Sequence, residues 1–175
     1  KGVIGGYSDG TYKPDQTINR AEFLKIVIGA LTSDASGANC FSDVADAWFA
    51  PYVCYAKKRG IVSGYSDGTF RPDRNISFVE ASKVLSNAFS LPVSVNRTAG
   101  EWYEPYVKSL EQKKAIPVTI DYFSKSVTRG EMAEIAYRLS ANKTDRATKT
   151  FLSFTSDFPQ ITSCQELEAK MEAAN

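Results

Sequence analysis

"GYSDGTYKPD" fills residues 6–15 and "GYSDGTFRPD" fills residues 64–73. The two stretches differ only at Tyr12/Phe70 and Lys13/Arg71, so a unit of 58 residues recurs. "INRAEF" (18–23) and "ISFVEA" (76–81) keep the same offset, and "VTRGEM" (127–132) is a third relative, 51 residues further on. Another pair lies upstream of them, "WFAPYV" at 48–53 and "WYEPYV" at 102–107. Each unit reads W-x-x-P-Y-V, then a turn-rich loop, then a short motif with a capping residue and a Glu three places later. The first copy lacks its opening third.

Periodicity turns this unit into a helix–loop–helix. Residues 46–60 read as a helix, with Asp46 placed to cap its start, Pro51 in its first turn and Gly60 to stop it. Residues 100–114 repeat that design. The second helices carry apolar residues at helical spacing: Phe23, Ile26, Val27 and Ala30; Ala81, Val84, Leu85 and Ala88; Met132, Ile135, Ala136 and Leu139. Between the helices, Asp9-Gly10 and Asp67-Gly68 are turn dipeptides, and Pro14-Asp15 and Pro72-Asp73 make a second bend. Tyr7, Tyr12, Tyr65 and Phe70 are expected to fold back as aromatic plugs of the loop.

Composition narrows the function. A formal charge of +1 over 175 residues argues against a broad polyanion-binding surface, and so against nucleic acid. It has no apolar run long enough for a membrane span. Histidine is absent, which removes the commonest general base and zinc ligand; neither a catalytic residue, a metal nor a cofactor is expected. The opening Lys1-Gly2-Val3 has no signal-peptide pattern, so any export signal is expected elsewhere in the protein. Cys40 and Cys54, 14 positions apart, read either as a disulfide of an extracytoplasmic protein or as two buried thiols; Cys164 stands apart.

The starts of the second helices separate folding from binding. Asn19…Glu22, Ser77…Glu80 and Thr128…Glu131 are capping boxes, which commits these three carboxylates to structure. Capping has no use for Arg20 and Arg129, and a cation in the first helical turn opposes the macrodipole. Beside free helix N–H groups, each would make a receptor for an anionic ligand; the alternative is a surface Arg paired with a nearby Asp. The second copy has Phe78 at this position and keeps its box.

"GIVSGYSDGTFRPD", "WFAPYV" and "VTRGE" together resemble the S-layer homology domain of bacterial cell-surface proteins. The resemblance runs from residue 1 to about 141. It implies an all-α fold in which three helix–loop–helix repeats form a pseudo-threefold bundle: residues 1–38 (loop and second helix only), 39–91 and 92–141. It also implies a cell-wall anchor, not an enzyme, that binds an acidic, often pyruvylated, secondary cell-wall polysaccharide in inter-repeat grooves. The glycan-binding residues would be Arg20 and Arg129 on the anionic group, with Trp48, Trp102, Tyr7, Asp9, Tyr65 and Asp67 lining the grooves. Trp48 and Trp102 have a second reading, as core anchors of the helix pair. Phe78 departs from the family's Arg, and "IPVTIDYFSKS" (116–126) departs from the loop, so at most two grooves should be competent. The alternative function is a protein–protein module that contacts other surface-layer subunits. Residues 142–175 lie outside the resemblance and read as a polar linker followed by a short helix, with Ser163 and Glu166 as its capping box.

Overall fold

The computed structural model describes residues 5–94 and 101–156. Its helices are α1 (Arg20–Leu31), α2 (Ala50–Lys58), α3 (Phe78–Ala88), α4 (Glu104–Gln112), α5 (Arg129–Ser140) and α6 (Phe151–Ser156), and the described residues contain no named strand. The expected all-α fold is what forms. The expected tail helix, with Cys164, falls outside the described residues.

The three second helices, α1, α3 and α5, start as expected. Asn19, Ser77 and Thr128 each accept from the backbone N–H three residues on, and Glu22, Glu80 and Glu131 each reach back to the capping residue's own N–H. Each box contributes about 1 kcal/mol. The first helices begin differently. Asp46 does not cap α2; it sits at φ 27°, and the helix starts four residues later behind Phe49, without a side-chain cap. Pro51 and Pro105 occupy the second helical position, where a missing N–H costs nothing.

Above these helix starts the three repeats close on one another. Ile18 N–H donates to Val127 O (3.0 Å), Val127 N–H to Ile76 O (3.0 Å) and Ile76 N–H to Ile18 O (3.2 Å). This ring of three backbone bonds lies on the pseudo-threefold axis, and its side chains are at most 2% exposed. Below it, each second helix offers its first two N–H groups to the loop of the next repeat. Arg20 and Ala21 donate to Arg74 O and Pro72 O; Phe78 and Val79 to Lys125 O and Phe123 O; Arg129 and Gly130 to Gln16 O and Pro14 O. The helix entrances are therefore not free, contrary to the sequence expectation. The cap takes the third N–H and the neighbouring loop takes the first two.

The first helix of each later repeat packs on the second helix of the repeat before it, α2 on α1 and α4 on α3. One core results, in which Phe23, Leu24, Val27, Ile28, Phe78 and Leu85 are essentially inaccessible. Cys40 and Cys54 form a disulfide, which fastens the segment before α2 to that helix. Phe41 next to it packs on Phe70, and the Asp43 carboxylate accepts from the N–H groups of Phe70 and Arg71. The bridge thus ties the second repeat's entry segment to its own loop. Replacing both cysteines with Ser is expected to cost roughly 3 kcal/mol on the chain-entropy account. In a domain of this size, thermal melting should show that as a drop of about 6–12 °C.

Candidate functional site

Each decapeptide folds back on itself. Tyr65 N–H donates to Thr69 O, and the Asp67 carboxylate accepts from the N–H and the hydroxyl of Thr69. Tyr7, Asp9 and Thr11 repeat these bonds. Gly64, at φ +75°, allows the crossing: a Cβ there would lie 2.3 Å from the Phe41 ring and 2.8 Å from Thr69 O. Asp67 also pairs with Arg71 at 2.9 Å. The Thr69 hydroxyl foremost, then Arg71, lowers its pKa to about 2, so it stays ionised at all ordinary pH. Asp9 and Asp67 are thus occupied by their own turns, and neither is among the residues that line the clefts around Arg20 and Arg129.

Among the described residues, two clefts lie between repeats, and the same positions of the repeat line both. The larger, about 240 Å³, is lined by Arg20, Tyr65, Glu80, Lys83, Val84 and Trp102, among others. The other, about 170 Å³, is lined by Tyr7, Glu22, Lys25, Ile26, Trp48 and Arg129, with Gly5 and Gly6. Three repeats meet in each cleft. The Arg comes from one, the loop and second helix from the next, and the Trp from the start of the helix that follows. Six of the eight residues expected from the sequence are brought together in this way.

The arginines form the cleft floors, with 8% of Arg20 and 7% of Arg129 exposed. Arg20 Nε donates to Phe70 O at 2.9 Å, and its guanidinium lies 5.0 Å from the Tyr65 ring and 4.7 Å from the Phe70 ring. Arg129 Nε donates to Tyr12 O and its NH2 to Gly5 O, and its guanidinium lies 4.6 Å and 5.0 Å from the rings of Tyr7 and Tyr12. Ring faces and carbonyls make a buried cation tolerable without cancelling its charge. Arg20 comes within 3.8 Å of Glu80 Oε2, and burial is the main cause of its lowered pKa. Arg129 has no carboxylate within ion-pair distance among the described residues.

Trp48 and Trp102 are not core anchors. They are 60% and 53% exposed, and each meets its neighbour, Phe49 or Tyr103, edge-on. The neighbours pack against the core instead. Each cleft thus has a cationic floor and an indole at its rim. Lys25 and Lys83 belong to it too, which the sequence reading missed; their 58-residue offset, the same as that of the loops, was the available signal.

The third interface is built as a closed joint. Counting on by 51 residues, Glu134 stands where Lys83 lies, while Phe78 replaces the Arg. The loop before α5 is three residues shorter, and Ile116 is the counterpart of Val62, since Ala115 N–H donates to Leu110 O as Ile61 N–H donates to Ala56 O. The segment expected to be a linker folds onto these residues. Lys149 N–H donates to Ile116 O, and Ile116 N–H to the Thr148 hydroxyl. Phe154, fully buried, packs 5.5 Å from Phe78 and 4.7 Å from Phe123. Glu134 binds Arg138, which also donates to Lys114 O and Ala147 O. Apolar side chains and the chain itself fill the place that the guanidinium takes in the other two interfaces.

Residues 1–24 and 41–81 match the model of the S-layer homology domain. These two segments are S-layer homology segments. The middle cell wall protein of Brevibacillus brevis is 31% identical over 138 residues, covering 75% of this chain and 13% of that protein. An uncharacterized cell wall amidase of Bacillus anthracis is 24% identical over 87% of this chain and 31% of its own length. The cellulosome-anchoring protein of Acetivibrio thermocellus is 29% identical over 49% of this chain and 21% of its own. The chain therefore spans less than a third of each of these relatives, and the S-layer homology repeats make it a cell-surface module.

If residues 147–156 belong to the bundle, Phe154→Ala should destabilise the whole domain by about 3–5 kcal/mol. Chemical denaturation followed by circular dichroism would measure it, as one cooperative transition at lower denaturant. A linker residue would leave the midpoint unmoved.

Proposed function

We propose that this chain is a non-covalent anchor that holds a surface protein to the bacterial cell wall by gripping an acidic polysaccharide, pyruvylated or otherwise carboxylated, in its two open clefts. One observation carries the reading: a cation more than nine-tenths buried, cradled by aromatic rings, occurs twice on the floor of a cleft with an exposed indole at its rim. A carboxylate entering beside Arg129 or Arg20 would receive charge-assisted hydrogen bonds from the guanidinium N–H groups left over. Trp48 and Trp102 would lie flat against the apolar face of a sugar ring. The clefts are smaller than the ~300–1,000 Å³ typical of drug-sized ligand pockets, which suits one or two residues of a long polymer. The repeats also occur in a relative named for anchoring.

Hydrolysis is the weaker reading. Cleaving a glycosidic bond takes two carboxylates free to face it. The cleft carboxylates, Glu22 and Glu80, hold capping N–H groups, and Glu80 also accepts from Tyr65. In an amidase-like relative the repeats would serve the same attachment, with the chemistry on another part of that protein.

The test is a pull-down with cell-wall polysaccharide purified from Brevibacillus brevis. The parent chain should bind, Arg20→Ala and Arg129→Ala should each bind more weakly, and the double variant should stay in solution. Equal retention of parent and double variant would remove the anchoring role and leave the protein–protein reading, in which exposed aromatics contact neighbouring surface-layer subunits.

A further inference from the structure

The two open clefts share a plan but not a charge. Copy two has Arg74 where copy one has Gln16. Arg74 adjoins the Arg20 cleft: its NH1 donates to the Tyr65 hydroxyl at 2.6 Å, and its NH2 lies 3.1 Å from Glu80 Oε1. In the Arg129 cleft the Tyr7 hydroxyl donates instead to Gln16 Oε1 at 3.1 Å. The loop geometry is otherwise preserved, since Arg74 O and Gln16 O both accept the first N–H of the neighbouring second helix. The substitution therefore alters electrostatics and leaves the frame alone.

Its consequence can be counted. Around the first cleft Arg20, Arg74 and Lys83 face Glu80, an excess of two positive charges. Around the second Arg129 and Lys25 face Glu22, an excess of one. Arg74 is not used up by its internal contacts. A guanidinium carries five N–H donors in a planar fork, and this side chain is 47% exposed. Glu80 bridges the pair, with one oxygen toward Arg74 and the other toward Arg20. Both guanidinium groups thus sit within a few ångströms of one carboxylate, close enough to act on a single ligand segment.

We propose that the clefts divide the polyanion between them by charge: the Arg20 cleft takes a segment with two anionic groups, read by Arg20 and Arg74 together, and the Arg129 cleft takes a segment with one. This rests on the anchoring reading above, and Arg74 against Gln16 is the specificity-determining position. A polymer carrying charges at unequal spacing would then be held in one orientation, doubly charged part in one cleft and singly charged part in the other.

The experiment isolates each cleft and measures the salt dependence of binding to the Brevibacillus brevis polysaccharide by calorimetry, before and after chemical reduction of its carboxyl groups. In an Arg129→Ala background, Arg74→Gln should weaken binding about three- to tenfold at low salt. It should also flatten the slope of log affinity against log salt by about one, as loss of one ionic contact with a polyanion does. Arg74→Lys should restore the slope. In an Arg20→Ala background, Gln16→Arg should strengthen binding and steepen the slope by about one. Carboxyl reduction should abolish both differences. Gln already serves at this position in copy one, so Arg74→Gln should fold, and its thermal midpoint checks that. Polymer binding that persists with slopes unmoved by either exchange would overturn the charge division while leaving the anchor intact. A parent chain that fails to bind would remove both.

Discussion

Three backbone hydrogen bonds at the axis organise everything else in this molecule. Ile18, Ile76 and Val127 each donate to one of the others and accept from the third. Each residue immediately precedes a helix cap, so the ring fixes where the second helices begin and how they splay from a common point. A buried backbone polar group without a partner is costly, so a closed ring of three admits neither two repeats nor four. The aliphatic side chains then bury together and exclude water that would compete for those bonds.

The clefts follow from the ring. With the helix starts fixed, each loop must lie across the entrance of the preceding repeat's second helix, because that helix has two N–H groups to satisfy and the loop has two carbonyls turned toward them. The residue at the first helical position is then pinned between two repeats. Where it is Arg, its side chain runs under the loop aromatics, and the guanidinium emerges at the bottom of the gap. The helix termini themselves are spent on internal bonds. Recognition of an anion would fall to the guanidinium groups and the aromatic frame, not to the helix dipole.

Much of this was legible from residues. The Asn19–Glu22, Ser77–Glu80 and Thr128–Glu131 boxes are local patterns with a single geometric solution, and they form as read. The loops were legible because Asp-Gly and Pro impose their own turns. The start of α2 was not, since Asp46 has a capping side chain but its positive φ places it before the helix, and no short-range pattern announces that. Trp48 and Trp102 left two readings open for a related reason. In a W-[FY] pair either ring can go inward, and tertiary packing chose Phe49 and Tyr103. The segment at 147–156 looked like a linker because its polar residues outnumber its apolar ones, and nothing local shows that Phe154 has a buried partner 76 positions earlier in the chain, Phe78.

That last pairing explains why the repeats can differ so sharply at one position. An Arg at the first helical position needs carbonyls, ring faces and an open side from which its charge is reached, and two interfaces supply all of these. A Phe there has the opposite need. It must be covered, because an exposed apolar gap between repeats would cost roughly 25 cal/mol for every Å² left in water. Ile116, the chain's own return through residues 147–149, and Phe154 with Phe123 together provide that cover. The exchange of Lys for Glu134 fits the same logic, since this carboxylate neutralises the buried Arg138 that fastens the returning segment by its carbonyl at Ala147. One bundle thus holds two solutions to the same geometric joint, and the residue at the helix entrance decides between a cleft that stays open and one that the protein closes with itself.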